Sequence, residues 1–223
     1  MLTNVKEIFL LQTLYITCFG EQTGVPILKD TLKTLNPPES LKIALKTQLK
    51  EEVFHAREYK KYTNNPAYID SKFEPEILKF ILGINVLTVR IFALQIILEG
   101  LAVNVLKFRL ANWPNYPARE FDLLVLEDET RHNNSIFPFI PQLKIIDEEI
   151  ERQVFIDTKE SLYKIFKSAF SPFEIKSFHQ EYTNSDSFDF RDFLLCSNYR
   201  DLAESNNRYI EDKMDEFFDM YYS

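Results

Sequence analysis

Glu52-Val53-Phe54-His55 returns, in its Glu and His alone, as Glu129-Thr130-Arg131-His132, 77 residues further along the chain. A single Glu precedes each Glu-x-x-His at nearly the same distance: Glu21 lies 31 residues before Glu52, and Glu99 lies 30 before Glu129. On a helix, residues three apart project from one face, so each Glu-x-x-His aims a carboxylate and an imidazole at a common point. Two such hairpins would gather the carboxylates of Glu21, Glu52, Glu99 and Glu129 with the imidazoles of His55 and His132. Both donor types suit transition-metal ions such as iron. Without cations, burying those acids together would be severely unfavourable, and several would take up protons.

Outward from these motifs, the chain divides where proline and asparagine cluster. Asn36-Pro37-Pro38 ends a first helix expected from about Asn4 to Leu35. A second is expected from Glu39 to about Tyr62, before Thr63-Asn64-Asn65-Pro66. The third is expected as one long rod from Glu74 to about Ala111, with Pro75 in its first turn, where the missing N–H costs little. After Asn112-Trp113-Pro114 and Pro117, the fourth runs from about Ala118 to Ile136 and is cut by Pro138 and Pro141.

All six motif residues fall on apolar stripes of these helices. Leu11, Leu14, Cys18, Glu21, Val25 and Leu28 follow steps of three and four, so Glu21 interrupts an apolar seam. Leu41, Leu45, Gln48, Glu52, His55 and Tyr59 keep the same steps, as do Thr88, Phe92, Gln95, Glu99, Ala102 and Leu106, and Phe121, Val125, Glu129, His132 and Ile136. Glu51, Glu58, Glu127 and Asp128 lie off the stripes and are expected in solvent. With 34 acids in 223 residues, an acid stands three before any given His roughly one time in seven by chance. One Glu-x-x-His is therefore weak evidence. Here two of the 3 histidines have it, each with a stripe-borne Glu at matched distance; His179 has no such pattern.

Composition agrees with an all-α fold: only 4 Gly, few hairpin signals, and apolar residues at helical steps. The net charge of −8 argues against a general nucleic-acid binder. Cys18 and Cys196 form neither a disulfide framework nor a zinc site, and the absence of Cys-x-x-Cys excludes an attached rubredoxin-type iron module. Ile8 to Phe19 faintly resembles a signal peptide, but Glu7 spoils a basic leader and no small-residue cleavage site follows. The apolar stretch Ile77 to Leu106 is interrupted by Lys79, Arg90 and Glu99 and is expected to fall short of a membrane span. A cytoplasmic protein is expected.

On Glu21, Glu52-Val53-Phe54-His55, Glu99 and Asp128-Glu129-Thr130-Arg131-His132, the chain resembles the ferritin-like superfamily of di-iron carboxylate proteins. That superfamily includes rubrerythrins, ferritins and oxygenases of the same fold. The resemblance covers about Asn4 to Ile136. It implies an antiparallel four-helix bundle over residues 1–141, with residues 142–223 as a C-terminal helical extension packed on it in a single domain. It implies two iron ions (or a manganese–iron pair) held by Glu21, Glu52, His55, Glu99, Glu129 and His132, with O2 as co-substrate. The expected function is an O2-dependent oxidase or oxygenase, hydroxylase-like, acting on a small apolar or amphipathic molecule and fed by a ferredoxin or flavin reductase. The alternatives are a rubrerythrin- or ferritin-type peroxidase or ferroxidase, and a non-catalytic helical interaction protein. The extension could cover a pocket or carry a homodimer face.

Further residues receive expectations from their register. Gln95 and Thr88, on the stripe before Glu99, could hydrogen-bond the ligands or bound oxygen; Cys18, three before Glu21, could line a pocket or simply fill the core. A resemblance to ribonucleotide reductase small subunits would make Tyr15 or Tyr59 a redox tyrosine, and Asp122, two turns before Glu129, could orient a metal-bound His.

Overall fold

Among the residues the structure describes, Arg90 and Arg109 are the largest fully buried side chains, and each pins helices that the sequence alone leaves unconnected. The computed structural model describes residues 5–63, 73–143, 148–169 and 197–222. In order they form α1 (Val5–Thr34), α2 (Glu39–Tyr59), α3 (Phe73–Gly83), α4 (Leu87–Ile91), a π-helical segment (Phe92–Leu98), α5 (Glu99–Asn112), α6 (Arg119–Ser135), a 3-10 turn (Phe137–Gln142), α7 (Glu148–Ala169) and α8 (Ser197–Tyr222). Among the described residues there is no strand. Cys196, His179 and Asn64-Asn65-Pro66 lie outside them.

The end of α1 follows from its residues. Asn36 takes a left-handed conformation (φ 44°), which Asn tolerates better than most, and Pro37-Pro38 cannot continue the helix. Pro26 sits inside α1 without ending it, although its missing N–H leaves the Gln22 carbonyl without a helical donor.

The expected third helix is not one rod. It stops at Gly83, residues 84–86 leave the helix, and it restarts at Leu87. Gly83 and Asn85 are poor helix formers, a signal that the apolar periodicity outweighed. Arg90 stabilises the break. Its Nε donates to the Ile84 carbonyl at 2.8 Å, its Nη2 to the Leu82 carbonyl at 2.7 Å, and its Nη1 pairs with Asp30 on α1. Carbonyls orphaned at a helix end thus gain charged donors. The pull of that guanidinium also holds the Asp30 carboxyl below its ordinary range. Beyond the break, α4, the π segment and α5 run on as one helix, Leu87–Asn112. Contrary to expectation, this helix is long and apolar enough to cross a membrane, and 78% of its most apolar window is buried inside the protein.

Helix α1 lies against α2 and α5 against α6, while α1 also meets α5 and α2 meets α6. Helix α7 covers α3 and α4; α8 lies on α5, the π segment and α7. One apolar cluster joins Ile27, Leu45, Ile81, Phe92, Ile136, Phe155 and Phe217; a second joins Leu14, Cys18, Tyr59, Leu106, Tyr116 and Val125. Phe92, Phe155 and Phe217 meet with centroids 4.6–5.3 Å apart, which ties α7 and α8 to the π segment through ring contacts. Along α1, α2 and α6, the motif residues fall in sequence between members of the two clusters.

Candidate metal centre

Buried acids need an explanation, and here four of them meet. Glu21 (4% exposed), Glu52 (3%), Glu99 (5%) and Glu129 (1%) come from α1, α2, α5 and α6, joined by His55 (0%) and His132 (2%). Glu21, Glu52, His55 and Glu129 offer ligand atoms all within 4.8 Å of one another, and so do Glu52, Glu99, Glu129 and His132. Glu52 and Glu129 belong to both groups. All six side chains singled out by spacing are therefore brought together, in two overlapping sets that could each hold a metal ion.

Each imidazole turns Nδ1 inward. His55 Nδ1 lies 3.2 Å from Glu21 Oε2 and 3.4 Å from Glu129 Oε1; His132 Nδ1 lies 3.4 Å from Glu52 Oε1 and 3.5 Å from Glu129 Oε2. The outward nitrogens are held crosswise. His55 Nε2 on α2 meets Asp128 Oδ2 on α6 at 3.1 Å, and His132 Nε2 on α6 meets Glu51 Oε2 on α2 at 2.8 Å. A carboxylate only accepts, so it holds a proton on Nε2 and leaves Nδ1 as the nitrogen that faces the acids. Arg131 Nη2 spans the two outer acids, 3.0 Å from Glu51 and 2.6 Å from Asp128.

Glu51 and Asp128 are only partly in solvent, 27% and 22% exposed, because each turns an oxygen to a histidine, and Asp122 does not lie beside a histidine as its register suggests. The residue immediately before each Glu-x-x-His faces the other helix, and only the α2–α6 packing reveals it. Asp122 instead lies fully buried between Arg109, Tyr59 and Tyr116. Tyr59 is engaged there, its hydroxyl 2.7 Å from Asp122 Oδ1, and burial raises its pKa well above the ordinary range. Tyr15 is buried, 3% exposed.

Gln48 is the residue the sequence placed on a stripe but gave no role. Its Nε2 donates to Glu99 Oε1 at 2.7 Å and to Glu52 Oε1 at 3.3 Å, and its Oε1 accepts from Gln95 Nε2. Gln95 therefore acts on the acids through Gln48. Its position one turn before Glu52 on the buried stripe was the available signal. Thr88 hydrogen-bonds Tyr221 at 3.1 Å, and Tyr221 in turn donates to Glu151; this is a tie to α7 and α8 rather than to the acids. Cys18 packs within the second apolar cluster and accepts from Gln22 Nε2 at 3.0 Å. Gly24 keeps room for Glu52, since a Cβ there would stand 3.3 Å from Glu52 Oε2.

The electrostatics suit a cluster that could hold cations. Burial, then repulsion from the neighbouring acids, drives Glu21 and Glu99 well above the carboxylate range, and Glu52 to about 7. Burial and repulsion from Glu52 also push Glu129 upward, but the neighbouring Glu99, His132 and His55 outweigh them and leave Glu129 lowered. Burial opposes charge on both imidazoles, yet Glu129 and its neighbours raise His55 and take His132 to about 12. Both oxygens of Glu129 and Nδ1 of His132 are buried without a hydrogen-bond partner, the signature of donors aimed at something other than each other. The donor set therefore fits metal.

A pH dependence follows. Unfolded Glu titrates near 4.3, whereas folded Glu52 holds its proton to about 7. The folded metal-free chain thus binds more protons between those values, and its stability falls as pH rises through them, by on the order of 3 kcal/mol from Glu52 alone. Glu21, Glu99 and both histidines shift in the same sense; lowered Glu129 acts only at more acid pH. The Tm of the metal-free protein is expected to drop by several degrees from about pH 5 to 7.5, and saturating metal should flatten that slope because ions replace protons. Calorimetry across that range checks it; a metal-free Tm that climbs contradicts it.

No family model matches this chain, and neither a curated protein nor a solved structure does.

Proposed function

We propose that the protein is a di-iron, O2-dependent oxidoreductase of the ferritin-like type. In this reading α1, α2, the Leu87–Asn112 helix and α6 form an antiparallel four-helix bundle around two metal ions, and α7 and α8 are an extension packed on it. The observation that carries the proposal is the pair of buried donor groups sharing Glu52 and Glu129, with Glu129 and His132 Nδ1 left unsatisfied at their junction. Glu21 and His55 would complete one ion's ligands, Glu99 and His132 the other's. The four carboxylates match the charge of two divalent cations, so the reduced site is neutral. The same donors suit iron or manganese.

When bound, a ferrous pair supplies the electrons that reduce dioxygen. The chain's own part is placement and insulation. Asp128 and Glu51 hold the proton on the Nε2 atoms, keeping Nδ1 free to ligate. Gln48, braced by Gln95, orients Glu99 and Glu52. The two apolar clusters keep water from the acids on either side. The expected substrate is a small apolar or amphipathic molecule, and the electrons come from a ferredoxin or flavin reductase in the cytoplasm. A second reading, a ferroxidase or peroxide-reducing protein, draws support from the two-fold reciprocity of the Glu51–His132 and Asp128–His55 pairs.

Anaerobic loading with Fe(II), then exposure to O2, tests the proposal. About two ions per chain, rapid oxidation and reductant-dependent conversion of an added aldehyde, fatty acid or aromatic are expected. Oxidation with peroxide turnover but no organic product favours the second reading. A chain that takes up neither Fe(II) nor Mn(II) rules out both.

A further inference from the structure

The last helix, α8, touches the backbone beside a proposed metal ligand through one hydroxyl. The π segment Phe92–Leu98 leads directly into Glu99, whose own N–H bonds the Leu94 carbonyl five residues back. Wide turns of this kind leave carbonyls out of the α pattern. Side chains take up two of them. Asn133 Nδ2, next to His132 on α6, donates to the Gln95 carbonyl at 2.9 Å and the Ile96 carbonyl at 3.3 Å. Tyr209 of α8 donates its hydroxyl to the Ile96 carbonyl at 2.9 Å and accepts from Asn133 Nδ2 at 2.8 Å. Gly100, the residue after Glu99, makes the approach feasible: a Cβ there would collide with the Tyr209 hydroxyl and ring.

We propose that Tyr209 is a positioning residue of the metal centre, whose hydroxyl, seated on Gly100 and joined to Asn133, locks the π turn so that Gln95 and Glu99 face the acid cluster. Packing alone does not require this arrangement. Phenylalanine would fill the same space, and a half-buried hydroxyl is costly unless bonded. Burial moves the Tyr209 pKa to about 12, so the phenol remains a donor at neutral pH. Elsewhere α8 meets the core through apolar side chains such as Leu202, Ile210 and Phe217 and through the Tyr221 hydroxyl, which bonds Thr88 and Glu151, both outside the π segment. The C-terminal helix is thereby part of the metal centre rather than a cover over it. The effect on metal rests on the di-metal reading; the clamp itself rests only on the contacts above.

The test uses Tyr209→Phe, which removes one oxygen, and Gly100→Ala, which displaces the phenol; Phe217→Leu serves as a variant that loosens α8 against Phe92, at the start of the π segment, without touching the Tyr209 hydroxyl. Hydrogen exchange of the metal-free protein and Co(II) titration followed by visible absorption are the readouts. Tyr209→Phe should speed exchange across residues 94–101 about tenfold relative to the ligand-bearing parts of α2 and α6. It should weaken one of two Co(II) ions by about tenfold and change the ligand-field bands, in keeping with the influence of outer-sphere partners. Gly100→Ala should do the same or more, and decides the matter by the same readouts if Tyr209→Phe does not fold. Phe217→Leu should lower Tm without altering the Co(II) spectrum. Wild-type exchange and spectrum in Tyr209→Phe, or the same spectral change in Phe217→Leu, would overturn the proposal. Should the wild-type chain bind no Co(II), the di-metal reading falls, and the exchange data alone decide for or against the clamp.

Discussion

Glu129→Gln is expected to leave a folded, helical protein that binds neither metal ion. Glu129 stands in both donor groups, its two oxygens 3.4 and 3.5 Å from the inward nitrogens of His55 and His132. On the di-metal reading its loss would remove a ligand from each ion at once, so affinity should fall by more than the roughly hundredfold that outer partners account for. Glu52→Gln should abolish binding for the same reason. Glu21→Gln or Glu99→Gln, each confined to one group, should spare the other ion. The metal-free variants separate a metal centre from an ordinary polar core. Glu52 holds its proton to about 7, so a neutral amide changes little there and should stabilise the apo chain above that pH. Glu129 carries the charge that both imidazoles face, so its amide should destabilise the apo chain. Metal analysis by mass spectrometry and thermal melts of the apo forms read both effects. Stoichiometric metal retained in Glu129→Gln and Glu52→Gln would remove the basis for a metal centre.

The largest loss of stability is expected from Asp122→Ala. Asp122 and Arg109 are both wholly buried. Asp122 accepts from Arg109 Nη2 at 2.8 Å, from Arg109 Nε, from Tyr59 at 2.7 Å and from Tyr116. Arg109 also reaches the Thr13 carbonyl and Thr17 hydroxyl on α1, each at 2.8 Å, so this one pair links α1, α2, α5 and α6. Removing the carboxylate strands a guanidinium that cannot shed its charge, at a cost of about 3–5 kcal/mol. Against a total stability of roughly 5–15 kcal/mol, that lowers Tm by about 10 °C or more. The double change Arg109→Met with Asp122→Leu should recover much of the loss, since no charge is then left unpaired. Urea melts measure the ladder. At low temperature, folded Asp122→Ala should still bind metal, because Asp122 contacts neither histidine; a loss of affinity as large as that of a ligand variant would show otherwise.

Spacing alone identified Glu21, Glu52, His55, Glu99, Glu129 and His132 because a helix converts steps of three and four into a shared face. That periodicity is local, so it survives without knowledge of the neighbours, and the same holds for the breaks at Asn36-Pro37-Pro38 and Pro138. It failed at residues 84–86, where apolar residues continue on stripe although Gly83 and Asn85 weaken the helix and Arg90 supplies the missing donors from the next turn. It also cannot see a π turn, which keeps the composition of an α-helix and changes only its winding.

What the sequence by itself determined is which side chains face inward, since that depends on helical period and on the cost of placing acids at random in an apolar seam. What only the tertiary structure decided is who holds them there. Glu51 and Asp128 reach across to the opposite histidine, Gln48 bridges Glu99 and Glu52, and Tyr209 closes on Gly100 from more than a hundred residues away. These partners sit on different helices, and no periodicity within one helix encodes the angle and offset at which another will pack against it.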